Sequence, residues 1–165
     1  MPDISTEVVI SSQTLGSAAA TIDFNSISSA YTDLRLVIVG KYTSSGGNTR
    51  IRFNSDTASN YSSTRIAGDG TSASSDRLTN QTFQRLSFNG NSSTISDFLT
   101  VDVFSYAGST FKTSLITSSE DYNGSGSVIR TVGLYRSTTA ISSITISLDS
   151  STMAAGTTAT LYGIL

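Results

Sequence analysis

Apolar residues alternate with polar ones along almost the whole chain, and this two-residue period restricts the fold more than any other feature. Such a period is typical of strands that bury one face. In Thr49–Asn54, for example, Ile51 and Phe53 alternate with two arginines. The scarcity of Lys, Glu and Gln leaves few segments that resemble the polar side of a helix. We therefore expect an all-β protein with almost no helix.

Turn residues separate the alternating segments at short intervals, which favours an antiparallel β-sandwich, jelly-roll-like, of about eight to ten strands. One segment, Leu34–Tyr42, is almost continuously apolar, which predicts a central strand buried on both faces. We expect Ile27–Asp33 to be a helical or irregular connection, Gly68–Asp76 to be a polar loop and Phe98–Tyr106 to contain a bulge. The strands are predicted at Glu7–Ser12, Ala20–Asn25, Leu34–Tyr42, Thr49–Asn54, Tyr61–Ala67, Thr82–Phe88, Phe98–Tyr106, Lys112–Ser118, Val128–Tyr135, Ile141–Leu148 and Thr158–Ile164.

The alternation also predicts the core. The positions that we expect to be buried are Leu36, Ile38, Ile51, Phe53, Val101, Val103, Ile144 and Ile146. Further phenylalanines in apolar alternation are expected to join them, namely Phe24, Phe98, Phe104 and Phe111. Strands such as Ile141–Leu148 have no Lys or Pro to protect a free edge, so we expect another chain to cover some edge or face.

The composition is unusual in its hydroxyl content, with 33 Ser and 24 Thr among 165 residues and only 13% charged residues. A disordered chain would need few β-branched and aromatic residues, whereas here they recur in short clusters throughout. Thr suits a pleated surface and Ser suits turns, so the chain is expected to fold. Its length and the absence of a linker predict one domain over residues 1–165.

Charge and composition exclude several classes of partner. The net charge of −2 gives no attraction to phosphate backbones, so no nucleic-acid partner is expected. No segment approaches the ~20 apolar residues of a membrane span. Met1–Thr6 lacks the basic start of a secretory signal peptide, and there is no Cys. This fits a protein made in a reducing cytoplasm that later works outside it.

The chain has no His, which removes His-based acid–base catalysis, Ser–His–Asp triads and most familiar zinc sites. A serine nucleophile would need a lysine base, but Lys41 and Lys112 lie in or beside predicted strands without the helical Ser-x-x-Lys context. We therefore predict no catalytic residue, no metal ligand and no cofactor.

Paired carboxylates could still support glycoside hydrolysis, and clustered loop oxygens could hold calcium. The simpler interpretation is that these acids form turns and carry solvated charges. The tyrosines could form a sugar-stacking surface, but such residues more often close the ends of sheets with the ring buried. The acid pairs considered are Asp69 with Asp76, Glu120 with Asp121, and Asp97 with Asp102. The calcium candidates are the loops 68–76 and 118–127, and the tyrosines are Tyr42, Tyr61, Tyr106, Tyr122, Tyr135 and Tyr162.

An ordered set of segments carries a resemblance. They are Phe24–Gly40 (FNSISSAYTDLRLVIVG), Arg52–Gly70 (RFNSDTASNYSSTRIAGDG), Ser105–Thr113 (SYAGSTFKT), Val132–Ile146 (VGLYRSTTAISSITI) and Ala159–Ile164 (ATLYGI). Together they resemble a family of small β-sandwich proteins encoded among tailed-phage virion genes. The chain departs from that family at Tyr135, where Trp is common, and at Ser28, where Pro often follows the preceding Ile.

The resemblance implies a virion structural protein on the outer surface of a phage particle, made in the host cytoplasm. A capsid decoration (cement) protein, bound to the major capsid protein, is the first expectation. The alternative is a tail-fibre or receptor-binding subunit that recognises host-surface glycan through loops such as residues 43–48 and 120–127. Phage shells offer threefold positions and fibres are commonly trimeric, so a homotrimer is expected in either case.

Overall fold

A computed structural model describes residues 6–44, 47–86 and 95–165, and all regular structure in these ranges is β. The predicted antiparallel all-β sandwich is confirmed, and the described residues form twelve strands, more than the eight to ten predicted. They are β1 (Glu7–Thr14), β2 (Thr21–Phe24), β3 (Asp33–Gly40), β4 (Thr49–Phe53), β5 (Tyr61–Gly68), β6 (Ala73–Gln81), β7 (Gln84–Arg85), β8 (Asp97–Phe104), β9 (Lys112–Asp121), β10 (Gly126–Tyr135), β11 (Ile144–Leu148) and β12 (Thr158–Ile164).

The strands form two sheets of unequal width. Eight of them pair in the order β1-β12-β3-β8-β9-β10-β5-β6, and the other four in the order β2-β11-β4-β7. Neighbouring strands are antiparallel throughout. The four-stranded sheet covers one face of the wider sheet, here called the inner face, and the apolar core lies between the two. The opposite face of the eight-stranded sheet is called the outer face.

The two-residue period places the core as predicted. In β3 the even-numbered residues from Leu34 to Gly40 are buried, and in β8 the odd-numbered residues from Asp97 to Val103 are buried. All eight predicted core positions are at least 98% buried. Successive residues of a strand point to opposite faces, so one buried face determines where the other set of side chains lies.

The polar segment 68–76 differs from the prediction. Only residues 69–72 form the turn, and β6 begins at Ala73 and pairs with β5 as the outermost strand of the wide sheet. Its side chains are largely exposed on both faces, so no apolar period marks it. Backbone pairing with β5 and the ion pairs of Asp76 with Arg65 and Arg85 hold it instead. The predicted strand Thr82–Phe88 is reduced to β7, and residues 87 and 88 lie outside the described ranges.

The strand predicted at Ile141–Leu148 needs no other chain to cover an edge. As β11 it starts at Ile144 and lies between β2 and β4, so both of its edges are paired within the chain. The edge strands of the two sheets are β1, β6, β2 and β7. Each has a feature that reduces its tendency to pair with another molecule. The strands β2 and β7 are short, β6 carries charged side chains, and β1 contains a bulge.

Two local predictions have mixed outcomes. The connection predicted to be helical or irregular, Ile27–Asp33, contains no helix, and β3 begins at its last residue. The bulge predicted in Phe98–Tyr106 is absent, because β8 pairs in regular register with both neighbours. Register shifts occur instead at Val9–Ser11 in β1 and at Tyr61–Ser63 in β5.

Candidate functional site

The outer face is the most distinctive surface of the molecule, because large apolar side chains stand exposed across it. Ile66 on β5 and Val128 on β10 are 61% and 64% exposed. Seven exposed large apolar residues share this face: Val9, Val39, Ile66, Phe98, Phe104, Val128 and Val132. A soluble monomer seldom exposes so much apolar surface in one region, and such patches usually mark an interaction site.

Strand register brings several of these side chains into rows. Val39 is opposite Phe98, Phe98 is opposite Ser119, and Ser119 is opposite Val128. The row therefore crosses four strands without a charge. Seven strand spacings and about seven residues per strand give the face dimensions of about 34 Å by about 23 Å, or roughly 800 Å². One partner contributes a similar area to a protein–protein interface of standard size.

The exposed phenylalanines correct the predicted core. Phe24 and Phe53 are buried as expected, but Phe98, Phe104 and Phe111 are 44%, 42% and 52% exposed. Phe98 and Phe104 occupy the even-numbered positions of β8, which face away from the core. Phe111 lies in the loop before β9. The apolar alternation was interpreted as a single buried set, whereas β8 carries apolar residues on both faces.

The prediction that Leu34–Tyr42 is buried on both faces is wrong for the same reason. Val39 is exposed and Val37 is only partly buried. The four-stranded sheet covers the inner face alone, so the apolar residues of β3 that point the other way meet solvent. A continuous apolar run here marks an uncovered apolar face.

The outer face carries few charged side chains, and only some of them form ion pairs. Arg35 forms ion pairs with Glu7 and with Asp102, the latter at 2.6 Å between Nε and Oδ1. Arg130 donates to the Thr117 hydroxyl at 2.7 Å, and Arg77 donates to a threonine of β5 at 3.2 Å. The face thus presents mainly apolar and hydroxyl groups, together with two arginines, Arg77 and Arg130, that bond threonine hydroxyls and form no ion pair with the described residues.

One open groove of about 530 Å³ lies on this face. Ile66, Gly68 and Ala73 line it on the β5–β6 side, and Val128 and Arg130 line it on the β10 side. The groove is mainly apolar with a guanidinium at its margin. It could receive an apolar side chain of a partner that has an acceptor or a carboxylate nearby.

The two predicted calcium loops meet at one end of the sandwich. The β5–β6 turn and the β9–β10 hairpin line a cavity of about 390 Å³, which Asp69, Glu120 and Asp121 share with several glycines. The carboxylates of Asp69 and Asp121 are already engaged in their own turns. Asp69 accepts the Ser72 and Thr71 amides at 2.6 and 2.8 Å, and these bonds hold the pKa of Asp69 well below its usual value.

The acid pairs proposed from the sequence do not form. Asp76 lies opposite Arg65, three residues and about 10 Å along β6 from the turn that contains Asp69. Asp97 and Asp102 point to opposite faces of β8. Glu120 and Asp121 are consecutive in β9, so they too diverge.

The structure instead brings Asp97 together with Glu120, a pair that spacing along the chain does not indicate. The Tyr122 hydroxyl lies 3.1 Å from Asp97 Oδ1 and 2.8 Å from Glu120 Oε2. Burial, followed by the negative charge of Glu120, raises the pKa of Asp97 to about 6. Asp97 is only 1% exposed, so a substrate could not touch it without rearrangement.

The two lysines considered as catalytic bases both take part in hydrogen bonds that hold loops in place. Lys112 is buried, and its Nζ donates to the carbonyls of Gly108 at 2.6 Å, Thr110 at 2.5 Å and Ser137 at 3.4 Å. Its pKa is lowered by burial. Lys41 contributes its backbone carbonyl to the loop after residue 152, where it accepts the Ala154 amide at 2.8 Å.

Most of the tyrosines are core residues, in line with the interpretation favoured above a sugar-stacking surface. Tyr42, Tyr61, Tyr106 and Tyr135 are buried. Tyr61 stacks on Tyr135 with ring centroids 4.8 Å apart, and its hydroxyl accepts the Phe53 amide at 3.1 Å. Tyr122 and Tyr162 are partly exposed. These rings stabilise the fold and present no continuous aromatic platform.

Among the described residues, no group of three or more Asp, Glu, His or Cys side chains is placed to hold a metal ion. No helix in the same ranges is long and apolar enough to cross a membrane. The sequence matches no protein-family model, no curated protein and no solved structure.

Proposed function

We propose that this chain is a non-enzymatic structural protein of a tailed-phage particle, a capsid decoration protein that lies on the outer surface of the shell. In this proposal its partner is the major capsid protein and its docking surface is the outer face. The exposed apolar residues of that face are the observation that carries the proposal. The resemblance of the five sequence segments to virion proteins supplies the kind of partner.

The size of the face suggests how binding would depend on assembly. If about half of roughly 800 Å² is apolar, its burial contributes on the order of 10 kcal/mol. Association costs about 4–15 kcal/mol in lost motion. The outer face would therefore bind a single isolated capsid subunit weakly. In an assembled shell the same protein could contact neighbouring subunits as well, and it would bind more tightly. A ligand of this kind stabilises the assembled shell by mass action.

Co-sedimentation tests the proposal. Purified protein is mixed with shells assembled from the major capsid protein of the same genome, and separately with unassembled subunits of that protein. We expect binding to shells, and a loss of at least about tenfold in affinity for the double variant Val128→Asp/Val132→Asp, because two charged carboxylates would replace apolar side chains in the buried contact and desolvating them is costly even beside Arg130. Ser29→Asp, an exposed position in the loop before β3, is the control and should bind as wild type.

Two results would contradict this function. One is wild-type affinity of the Val128→Asp/Val132→Asp protein for shells, provided that its circular dichroism spectrum is unchanged. The other is equal affinity of the wild-type protein for shells and for free subunits. The position of the gene offers a further check, since a neighbour of the major capsid gene favours decoration and a place after the tail genes favours a fibre.

The cavity between the β5–β6 and β9–β10 hairpins favours one alternative, a tail-fibre or receptor-binding subunit that binds host glycan. Its lining of glycines, hydroxyls and carboxylates offers hydrogen-bond acceptors to sugar hydroxyls. A glycan array with wild type and Ser125→Trp, which would fill the cavity, tests this role. Specific binding that Ser125→Trp abolishes and Val128→Asp/Val132→Asp leaves intact would favour the fibre over decoration.

We also propose that the working unit is a homotrimer, on the grounds of the threefold positions of phage shells and the trimers common in fibres. The edge strands give little support, because β11 is paired on both sides and the true edges are short, charged or bulged. Three copies would therefore associate through faces or loops. Light scattering in solution and on the loaded shell measures the stoichiometry, and a monomer in both settings would refute the trimer.

A further inference from the structure

Asp97 and Glu120 are cross-strand neighbours at the end of the sheet that carries the acidic cavity. Phe98 of β8 lies opposite Ser119 of β9. In an antiparallel pair, Asp97, one residue earlier, therefore lies opposite Glu120, one residue later. Both side chains of the pair point to the inner face, and the Asp97 side chain is almost completely buried. Neither carboxylate forms an ion pair with any described Lys or Arg.

The Tyr122 hydroxyl contacts both carboxylates but has a single hydrogen. It can donate to one carboxylate only, so the other contact, at hydrogen-bond distance, needs a hydrogen from the carboxyl side. If both acids were ionised, one carboxylate oxygen would face the lone pairs of the phenol oxygen. The geometry is therefore satisfied when one of the two acids is protonated.

The groups that face the pair add hydroxyls and negative charge. Ser127 on β10 donates to Glu120 Oε1 at 3.1 Å. The Tyr42 hydroxyl, after β3, faces Asp97 and lies 3.1 Å from the Thr49 hydroxyl of β4. Asp69, on the β5–β6 turn, lines the same cavity as Glu120, and Asp121 follows Glu120 with its side chain on the opposite face. These negative charges oppose ionisation of the second acid, whereas the hydrogen bonds from the Tyr122 and Tyr42 hydroxyls favour it.

We propose that Asp97 and Glu120 share one proton and act as a pH-sensitive latch, which fastens the β9–β10 hairpin to the start of β8 while the proton is present. As the pH rises through the mildly acidic range, the proton leaves, the two carboxylates repel, and this end of the sandwich loosens. The inference is independent of the proposed docking function, because the latch lies on the inner face and the docking surface is the outer face.

The sign and size of the effect follow from linkage. The raised pKa of Asp97, about 6 against 3.8, means that the folded state binds the proton more tightly than the unfolded chain does. The latch therefore stabilises the fold fully below about pH 4, and the stabilisation is lost as the pH rises through 6. A difference of about two pKa units corresponds to a fall of about 100-fold in the folding equilibrium constant. With no His in the chain, few side chains of ordinary pKa titrate between pH 6 and pH 8. Below about pH 5 other carboxyls contribute with the opposite sign, because the pKa values of Asp56, Asp69 and Asp149 are lowered in the folded state.

Thermal unfolding between pH 4.5 and pH 8 gives the first test. We expect the wild-type melting temperature to fall by roughly 5–10 °C across this range. Asp97→Asn, which keeps the shape and cannot ionise, should melt at nearly the same temperature throughout. Asp121→Asn removes a neighbouring charge on the opposite face and should retain the wild-type fall. A wild-type melting temperature that does not change, or an Asp97→Asn protein that keeps the decline, would overturn the latch.

A second measurement needs no variant and so stands even if Asp97→Asn fails to fold. Carbon-13 NMR of the side-chain carboxyls follows each acid in the native protein. We expect Asp97 to titrate near pH 6. Amide exchange corrected for intrinsic rates should show about 10- to 100-fold lower protection in residues 121–127 at pH 7.5 than at pH 5, with β12 unchanged. An Asp97 midpoint near pH 4, or hairpin protection independent of pH, would refute the proposal.

Discussion

Replacing Gly163 with Ala should destabilise the protein through a single contact, with the Tyr31 ring. A Cβ at Gly163 would lie 2.3, 2.4 and 2.6 Å from Cγ, Cδ1 and Cδ2 of Tyr31. Carbon atoms in favourable contact are ~3.5–4.0 Å apart, so the ring would have to retreat by about 1 Å or more. Rotation of the ring about its own axis leaves Cγ in place, so a ring flip cannot relieve the overlap, and a larger movement would disturb the packing of Tyr31 against the core.

The expected magnitude is a balance of two opposing terms. Overpacking a filled site costs typically about 1–3 kcal/mol. Replacing a strand Gly with Ala gains about 0.5–1 kcal/mol by limiting the unfolded chain. We therefore expect Gly163→Ala to lower the free energy of unfolding by about 1–2 kcal/mol. In a Tyr31→Ala background the overlap is gone, and the same substitution should stabilise by about 0.5–1 kcal/mol.

Urea unfolding followed by circular dichroism measures all four proteins of this double-mutant cycle. Gly16→Ala is the control, because nothing lies within 4 Å of a Cβ at that exposed position. Its effect should stay within about 0.5 kcal/mol. An equal cost of Gly163→Ala in the presence and absence of the Tyr31 ring would refute the reasoning, as would no cost in the wild-type background.

Three further substitutions test other buried contacts by the same urea assay. Asp76→Ala should cost at least about 2 kcal/mol, because two buried arginines, Arg65 and Arg85, each lose an ion pair with this carboxylate; a cost below 1 kcal/mol would contradict this. Asn54→Ala should cost about 2–3 kcal/mol, since the amide side chain bonds the backbone before β11 at 2.8 Å on each side; Asn54→Asp, which keeps only the acceptor, should cost less. Lys112→Met should be destabilising by at least about 2 kcal/mol, because three carbonyls lose a charged donor, and a gain in stability would show that ammonium burial dominates.

The period of the sequence was sufficient to predict the fold class, because each strand that contributes to the core has one buried face. Ile51 and Phe53 in β4 and Ile144 and Ile146 in β11 are buried as expected. A strand with both faces largely exposed leaves no such pattern. This is why the first four residues of β6 were interpreted as part of a loop, although the strand is nine residues long.

The candidate surfaces were harder to predict, because they depend on which strands pair and on which face of the wide sheet the second sheet covers. Phe98 and Val128 share a face only through the register of β8, β9 and β10, which the sequence does not specify. Asp97 and Glu120 are 23 residues apart and meet through the same register. In β8, apolar residues occupy both odd- and even-numbered positions. This pattern could have suggested an exposed apolar face, but it equally fits a strand whose two faces are both covered.

The position of β12 has a consequence for the order in which the chain can fold during synthesis. The last strand in the sequence lies between β1 and β3, and it is the partner of both. Until residues 158–164 have left the ribosome, β1 has no partner and one long edge of β3 is bare. The pairing of β1 with β12 spans almost the full chain length, and contacts of such long separation form slowly. The wide sheet therefore cannot be completed before residues 158–164 have been synthesised, and a nascent chain stalled before residue 158 would expose that edge to aggregation.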